Sequence, residues 1–399
     1  MTIRKLHNSK ADVKDLIAAA EILRDKMQEG AALRDREGSF PYEQCAMLRQ
    51  SGLLGLMVPK KYGGAGGSFS NLMKVSSLLA EGDPNVGQIY QLQSGGVLLM
   101  TEIASEKVQA KYLPMTANGE LFITNAYSEV GTKFINEFKT TIRKEKSGWV
   151  LNGKKFYCTG SLAGDLAFGP AVVEGTSEVR IFYVDIKGPG VTIHDDWDGM
   201  GQRGTGSGTI EFENAHVEDE LCFDPSGAIK PTAKTALVYQ LVHTGVFVGI
   251  ARNALSDARK FVQEKARLWY ESTAEKPSKD PYTMLRFGEM TSLCHAAELM
   301  ADRAAKMCDE LFENDTAEVR GRASAAMGEA RAYCAYAAIK IGEMLFQVCG
   351  SGSVLRKYGF DRHWRNARTL SLHNPLDFKY AHLGDLELNG VLPPVDAYN

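Results

Sequence analysis

Three segments near the C-terminus constrain this chain more than anything else in it. They are "TALVYQLVHTGVFVGIARNALSDARKFVQEKARLW", "YTMLRFGEMTSLCHAAELMADRAAKMCDELFEN" and "AEVRGRASAAMGEARAYCAYAAIKIGEMLFQVCG", running from Thr235 to Gly350 with few breakers. Each is long, Ala-rich and amphipathic, and helices of that length bury their apolar stripes best against one another, so a helical bundle is predicted. Upstream the texture differs. From about Glu120 to Asp224, "FITNAYSE", "GWVLNGKKFYCTG", "AFGPAVV", "VRIFYVDI" and "TIEFENAHV" are short β-branched and aromatic runs between Gly, Asn, Asp and Pro. They predict a compact antiparallel β domain. Before it, apolar residues recur at helical spacing, as in "YEQCAMLRQSGLLGLM". The expected architecture is α+β and multidomain: an N-terminal helical domain (1–119), a middle antiparallel β-barrel (120–231) and a C-terminal four-helix bundle (232–399), with "FDPSGAIKP" as linker.

The charge balance narrows the ligand. Lys and Arg number 46 against 49 Asp and Glu, a formal net charge of -3, and no long run of either sign occurs. Neither nucleic acid nor an anionic membrane surface is indicated, and small ligands are expected. The seven cysteines are scattered, with no C-x-x-C pair, which argues against a disulfide framework or zinc site and for a reducing compartment. The N-terminal stretch has no apolar signal core and no run is long enough to span a bilayer, so a cytoplasmic location is expected.

Several motifs admit two readings. "VPKKYGGAGGSF" (Val58 to Phe69) has glycines a phosphate could approach, but it lacks the Lys-Ser/Thr of a phosphate loop and no strand precedes it, so it reads as a turn between helices. No G-x-G-x-x-G follows a strand, which leaves no sign of a Rossmann nicotinamide site. "DWDGMGQRGTGSGTIEF" (Asp196 to Phe212) is either a hairpin with a packed tryptophan or a loop that lays Trp197 on a flat cofactor while hydroxyls and amides meet its polar edge. "FQVCGSGSVLRKYGFDRHWRNAR" is a solvated basic face or an anion site. In "RTLSLHNPLDFKY" the Asn-Pro should stop a helix and leave His373 near its end. Position alone gives that histidine no catalytic role.

Taken together, the domain order and the strings "VPKKYGGAGGSF", "NGKKFYCTG", "GQRGTGSGTIEF", "EKARLWY" and "QVCGSG" resemble the acyl-CoA dehydrogenase superfamily over nearly the whole chain. The resemblance implies a flavin held between the three domains of a homotetramer. Dehydrogenases of the family need a glutamate as base against the acyl thioester. One usual position follows an Arg-Asp-Ala-Arg-like string, and here "RNAR" is followed by "TLSLHNP". The other lies on the first bundle helix, which here carries Tyr239 and Gln240. Both lack the acid. "DRHWRNARTLSLHNPLDFKYAHLGDLELNG" is more similar to a branch of flavin-dependent monooxygenases, the dibenzothiophene monooxygenase and sulfur-acquisition type. That branch takes reduced FMN from a separate NAD(P)H:flavin reductase and forms a C4a-hydroperoxyflavin with O2. It then oxygenates a small sulfur- or nitrogen-containing substrate.

Within that resemblance His373 is the first catalytic candidate, assisting formation or protonation of the peroxide with a pKa near neutrality that lets it give and take a proton. Asn125 and Thr159 are its implied companions beside the flavin. Trp197, Arg203, Thr205 and Ser207 match the flavin-flanking loop. Arg267 matches an arginine that reaches cofactor phosphate across a subunit interface, and Gln347, Gly350 and Gly352 match the "QVCGSG" cofactor segment. The substrate pocket is expected at Gln88, Leu92 and Tyr239. Sulfur-oxidising relatives carry a histidine and a tyrosine where this chain has Gln88 and Leu92, four residues apart on one helical face, so the pocket is retuned. The cofactor expected is FMN rather than FAD. The competing reading is an acyl-CoA dehydrogenase or oxidase with a displaced base.

Overall fold

The structure, a computed structural model, describes residues 12–134, 137–225 and 233–395. Most of the expected linker therefore lies outside the described residues. The N-terminal third folds as six helices: α1 (Val13–Gln28), α2 (Ala31–Glu37), α3 (Tyr42–Gln50), α4 (Phe69–Gly82), α5 (Pro84–Ile103) and α6 (Glu106–Ala117). Between α3 and α4 the "VPKKYGGAGGSF" stretch is a turn closed by its own backbone, with Gly66 and Gly67 donating to the carbonyls of Val58 and Leu56.

Helix α5 holds the molecule together. Asp83 caps it, accepting from the Asn85 amide while forming an ion pair with Arg34, and Pro84 occupies its first turn, where a missing N–H costs nothing. Its glycines would each weaken an ordinary helix by about 1 kcal/mol. Here they admit close neighbours: a Cβ on Gly95 would stand 2.5 Å from the Tyr239 ring, and one on Gly96 would stand 2.3 Å from Ile123. The helix is thus covered on one side by the C-terminal bundle and on another by the sheet, and nearly all of it is buried.

The middle region is a curled eight-stranded sheet. Its strands are β1 (Ile123–Asn125), β2 (Thr141–Glu145), β3 (Gly148–Lys155), β4 (Leu166–Val173), β5 (Val179–Asp185), β6 (Val191–Ile193), β7 (Ile210–Val217) and β8 (Cys222–Phe223). The main path runs β6-β7-β3-β2-β4-β5-β8. The sheet is mixed where sequence patterning predicted antiparallel pairing throughout: β4 pairs antiparallel with β5 but parallel with both β1 and β2. Alternation along a strand reports which face is buried and says nothing of a neighbour's direction, which explains the difference.

The C-terminal region carries α7 (Ala233–Glu264), α8 (Pro281–Asp309) and α9 (Ala317–Cys349), with α10 (Asp361–Ser371) laid against α7 and α9, and α11 (Leu376–Asn389) against α9. His373 sits in the short turn between α10 and α11, where Asn374-Pro375 ends one helix and Leu376 begins the next. The predicted stop is therefore present, and it presents the histidine rather than burying it along a stripe.

Candidate active site

Helix α5 positions two groups of polar side chains. The first lies where α5, α7, α9 and the α10–α11 turn meet. His243 on α7 and Arg331 on α9 are fully buried, and the Arg331 guanidinium donates from Nη1 to His243 Nδ1 at 2.6 Å and from Nη2 to Asn374 Oδ1 at 3.3 Å. Gln88 on α5 meets His243 Nε2 at 3.2 Å. His373 hydrogen-bonds through Nδ1 to Asn374 Oδ1, and its ring stands edge-on to that of His243 with centroids 4.4 Å apart. Protein crowds the His373 ring, yet the residue is exposed, and its open side is the candidate cleft.

The electrostatics of this group are unusual. Burial and the Arg331 charge push His373 down to about 4, and burial, His373 and Arg331 hold His243 well below the ordinary histidine range. Burial alone lowers Arg331 to about 9, still protonated at neutral pH. No carboxylate pairs with any of the three among the described residues. Against the expectation that His373 titrates near neutrality, burial first and the Arg331 charge second keep its imidazole neutral at neutral pH.

The second group lies on the sheet side. Thr159 Oγ1 and Ser207 Oγ are 2.7 Å apart, Ser207 Oγ and Thr205 Oγ1 are 2.7 Å apart, and Thr205 Oγ1 donates to the Gln202 carbonyl at 2.9 Å. Trp197 Nε1 donates to the same carbonyl at 2.8 Å. The three hydroxyls are buried in one continuous chain. Asn125, at the end of β1, donates to the Tyr157 carbonyl while its Oδ1 is buried without a partner among the described residues. An orphan acceptor of this kind costs about 1–3 kcal/mol and fits a ligand donor, such as a ring N–H.

The two groups are joined physically. Gln93 on α5 accepts from the Ile123 amide at 2.6 Å, and a Cβ on Gly160 would stand 3.0 Å from Ile89. The Trp197 loop docks on α10 through Gln202 N to Asn366 Oδ1 at 2.6 Å. Gln88 and Leu92 are both buried on α5, and Tyr239 on α7 packs against Gly95 while its carbonyl accepts from Gln91.

Other expected residues are placed elsewhere in the protomer. Arg203 turns away from the hydroxyl chain and donates from Nε to the Asp35 carbonyl on α2. Gln347 and Gly350 lie exposed at the end of α9, Gly352 just beyond them next to Phe261, and Arg267 past the end of α7. Arg331 and Gln347 are sixteen residues apart on α9, roughly 24 Å at 1.5 Å per residue, so this end of the bundle is far from the cleft. Of the five basic residues before His373, Arg362 pairs with Asp257 and Arg365 with Asp35 and Asp361, so these two serve structural ion pairs.

Sequence reasoning missed four residues. His243, Arg331 and Asn374 come from three separate segments and only the fold brings them together. Tyr157 is exposed, holds a left-handed φ of 56° and stands edge-on to Trp197 at 5.9 Å between centroids. A non-glycine residue held there is strained, a state that clusters at functional loops. No local sequence signal marks it.

Comparison with known proteins agrees with this architecture. Three family models match in chain order: the acyl-CoA dehydrogenase N-terminal domain over residues 16–120, the middle domain over 125–215 and the C-terminal domain over 241–378. Dibenzothiophene monooxygenase from Rhodococcus qingshengii is 32% identical over 393 residues, covering 95% of this chain and 94% of that one. The protein described as "Probable FMNH2-dependent monooxygenase SfnC" from Pseudomonas putida is 30% identical over 390 residues, covering 96% and 97%. The crystal structure of FMN-bound TdsC from Paenibacillus sp. A11-2 superposes with a TM-score of 0.91 at 26% identity, covering 96% of this chain and all of that one. With all three domains matched in order and relatives above 30% identity along the full length, the chain belongs to the acyl-CoA dehydrogenase family.

Proposed function

We propose that this protein is a flavin-dependent monooxygenase that takes reduced FMN from a separate NAD(P)H:flavin reductase and uses O2 to oxygenate a small sulfur- or nitrogen-containing compound. The observation that carries the reading is the identity of the group facing the cleft. A dehydrogenase of this fold needs a carboxylate base there, and the wall presents a neutral imidazole, His373, backed by His243 and Arg331 with no acid among the described residues acting on them. Glu102, on the last turn of α5, is engaged by the Thr235 hydroxyl. FMN in the names of the relatives supports the choice of cofactor.

The residues present suit a flavin. The unpartnered Asn125 Oδ1 can accept a ring N–H, the Thr159–Ser207–Thr205 hydroxyls can meet polar ring atoms, and Trp197 can cover an aromatic face. When bound, reduced FMN supplies the electrons that activate oxygen. The protein's part is to hold reactants against His373, which handles the proton, and to keep bulk water out with Leu92, Tyr239 and Trp197. Gln88 and Leu92, in place of the histidine and tyrosine of sulfur-oxidising relatives, make the pocket this chain's own. Arg267, Gln347, Gly350 and Gly352 stand apart from these groups in the protomer, and by family resemblance they would meet a cofactor across a subunit interface. The exposed Tyr282, Leu285 and Leu299 on α8 supply apolar surface for such an assembly, a homotetramer by family resemblance.

The test loads the protein anaerobically with photoreduced FMN and mixes it with O2 and candidate organosulfur or amine substrates, measuring oxygenated product against hydrogen peroxide. Product formation is expected, and His373→Ala is expected to cut it by about 10²–10⁴-fold while FMN binding persists. FMN bleaching by an acyl-CoA thioester, with no oxygenated product, would replace this reading with the dehydrogenase one.

A further inference from the structure

One guanidinium contacts both sides of the histidine cluster, and a guanidinium can only donate hydrogen bonds. That single fact assigns every proton in the cluster. Arg331 Nη1 donates to His243 Nδ1, so His243 carries its proton on Nε2. Nε2–H then requires an acceptor from Gln88, which must present its carbonyl oxygen there. As placed, Gln88 Nε2 stands 3.2 Å from His243 Nε2, two donors facing each other, and Gln88 Oε1 is buried without a donor among the described residues; reversing the amide satisfies both groups. On the other side Arg331 Nη2 donates to Asn374 Oδ1, which fixes that oxygen as an acceptor. His373 faces the same oxygen through Nδ1, so the His373 proton sits on Nδ1 and its Nε2 carries a bare lone pair. Nε2 has no hydrogen-bond partner among the described residues, and the side chain is open to the cleft.

We propose that Arg331 is a positioning residue that, through Asn374 and His243, locks His373 as the Nδ1–H tautomer, so that His373 meets the substrate complex as a hydrogen-bond acceptor and base and not as an acid. An O–H or N–H held against Nε2 gives its proton to that lone pair and keeps the bonding electrons, and the doubly protonated ring, next to Arg331, readily returns the proton. The charged and titratable groups facing His373 are Arg331 from α9 and His243 from α7, the latter neutral; its own turn contributes the uncharged Asn374. The tautomer rests on hydrogen bonding alone. Only its catalytic meaning rests on the monooxygenase reading.

The experiment therefore avoids turnover. Long-range proton–nitrogen correlation spectra of the flavin-free protein carrying 15N-labelled histidine read, at neutral to mildly alkaline pH, which ring nitrogen of His373 bears the proton, with His373→Gln identifying its signals. The native protein is expected to show Nδ1–H. In Arg331→Met and Arg331→Gln a mixture of the two tautomers is expected, with Arg331→Lys between them and the native protein. Circular dichroism selects which of these variants is folded, and the native spectrum is decisive by itself if none is. A proton on Nε2 of His373 in the native protein, or a tautomer unmoved in every folded Arg331 variant, overturns the proposal. Failure of the oxygenation assay with the tautomer as expected would remove the monooxygenase reading and leave the Arg331 assignment standing.

Discussion

Two buried clusters in this molecule each set a histidine beside an arginine, and they differ by one carboxylate. Between α7 and α10, Asp257 accepts from Arg362 at 2.7 Å and contacts His363 at 2.8 Å, and these partners hold its carboxyl down at about 2 despite burial. At the cleft, Arg331 and His243 have neighbours of the same kind but no acid among the described residues. The paired cluster fastens one helix to another. The unpaired one carries a desolvated positive charge that the fold must offset elsewhere. The histidine pKa is lowered in both clusters, but only at the cleft does no carboxylate among the described residues act to raise it again. A carboxylate beside His373 would raise its pKa and hold a proton on the nitrogen the cleft needs bare.

Removing the acid from the paired cluster is the largest test of stability. Asp257→Ala leaves Arg362 and His363 without their anion, and a loss of about 3 kcal/mol is expected from chemical denaturation, with partial solvent access to Asp257 keeping it at the lower end for broken buried pairs. A loss below about 1 kcal/mol would mean the fastening role is wrong.

Acid titration separates Asp257 from the cleft histidines by pH window, since both lose stability on acidification. Asp257 has a depressed pKa, so its stabilisation is present above the unfolded value near 4 and is lost only as pH falls toward 2. His243 and His373 are also depressed, so there too the unfolded chain takes up protons first, but at the ordinary histidine pKa rather than the carboxylate one. Stability should therefore fall as pH drops from about 6.5 toward 4. His243→Gln is expected to flatten the dependence of melting temperature on pH in that window. An unchanged slope would show that His243 does not bear the cost assigned to it.

The smallest effect expected is at the remote end of the bundle. Arg267 is exposed, so Arg267→Ala should change stability by less than about 0.5 kcal/mol. Weakened FMN binding at unchanged stability, read by flavin fluorescence, would support its action across an interface; unchanged binding would remove it from the cofactor site.

Much of this was visible before folding. Helical periodicity marked the bundle, alternation and turn residues marked the sheet, and Asn374-Pro375 marked the break that presents His373. Parallel pairing of β4 with β1 and β2 was not visible, because a strand's pattern shows which face is buried and not its neighbour's direction. Asn125, Thr159, Trp197, Thr205 and Ser207 do gather on one side of the molecule, while Arg203 turns to α2 and the α9 terminal segment lies far off. Resemblance carries residue identities along a chain, but it does not say which of them one protomer holds together.

By itself the sequence determined the order of helix, sheet and bundle, since local periodicity depends only on near neighbours. Together with the family resemblance, it also indicated that the positions matched to the usual base, around Tyr239–Gln240 and after "RNAR", hold no acid. Only the tertiary structure decided that His373 is neutral and which nitrogen bears its proton. Those follow from desolvation and from hydrogen bonds among Gln88, His243, Arg331 and Asn374, which come from four separate segments and meet only when the chain is folded.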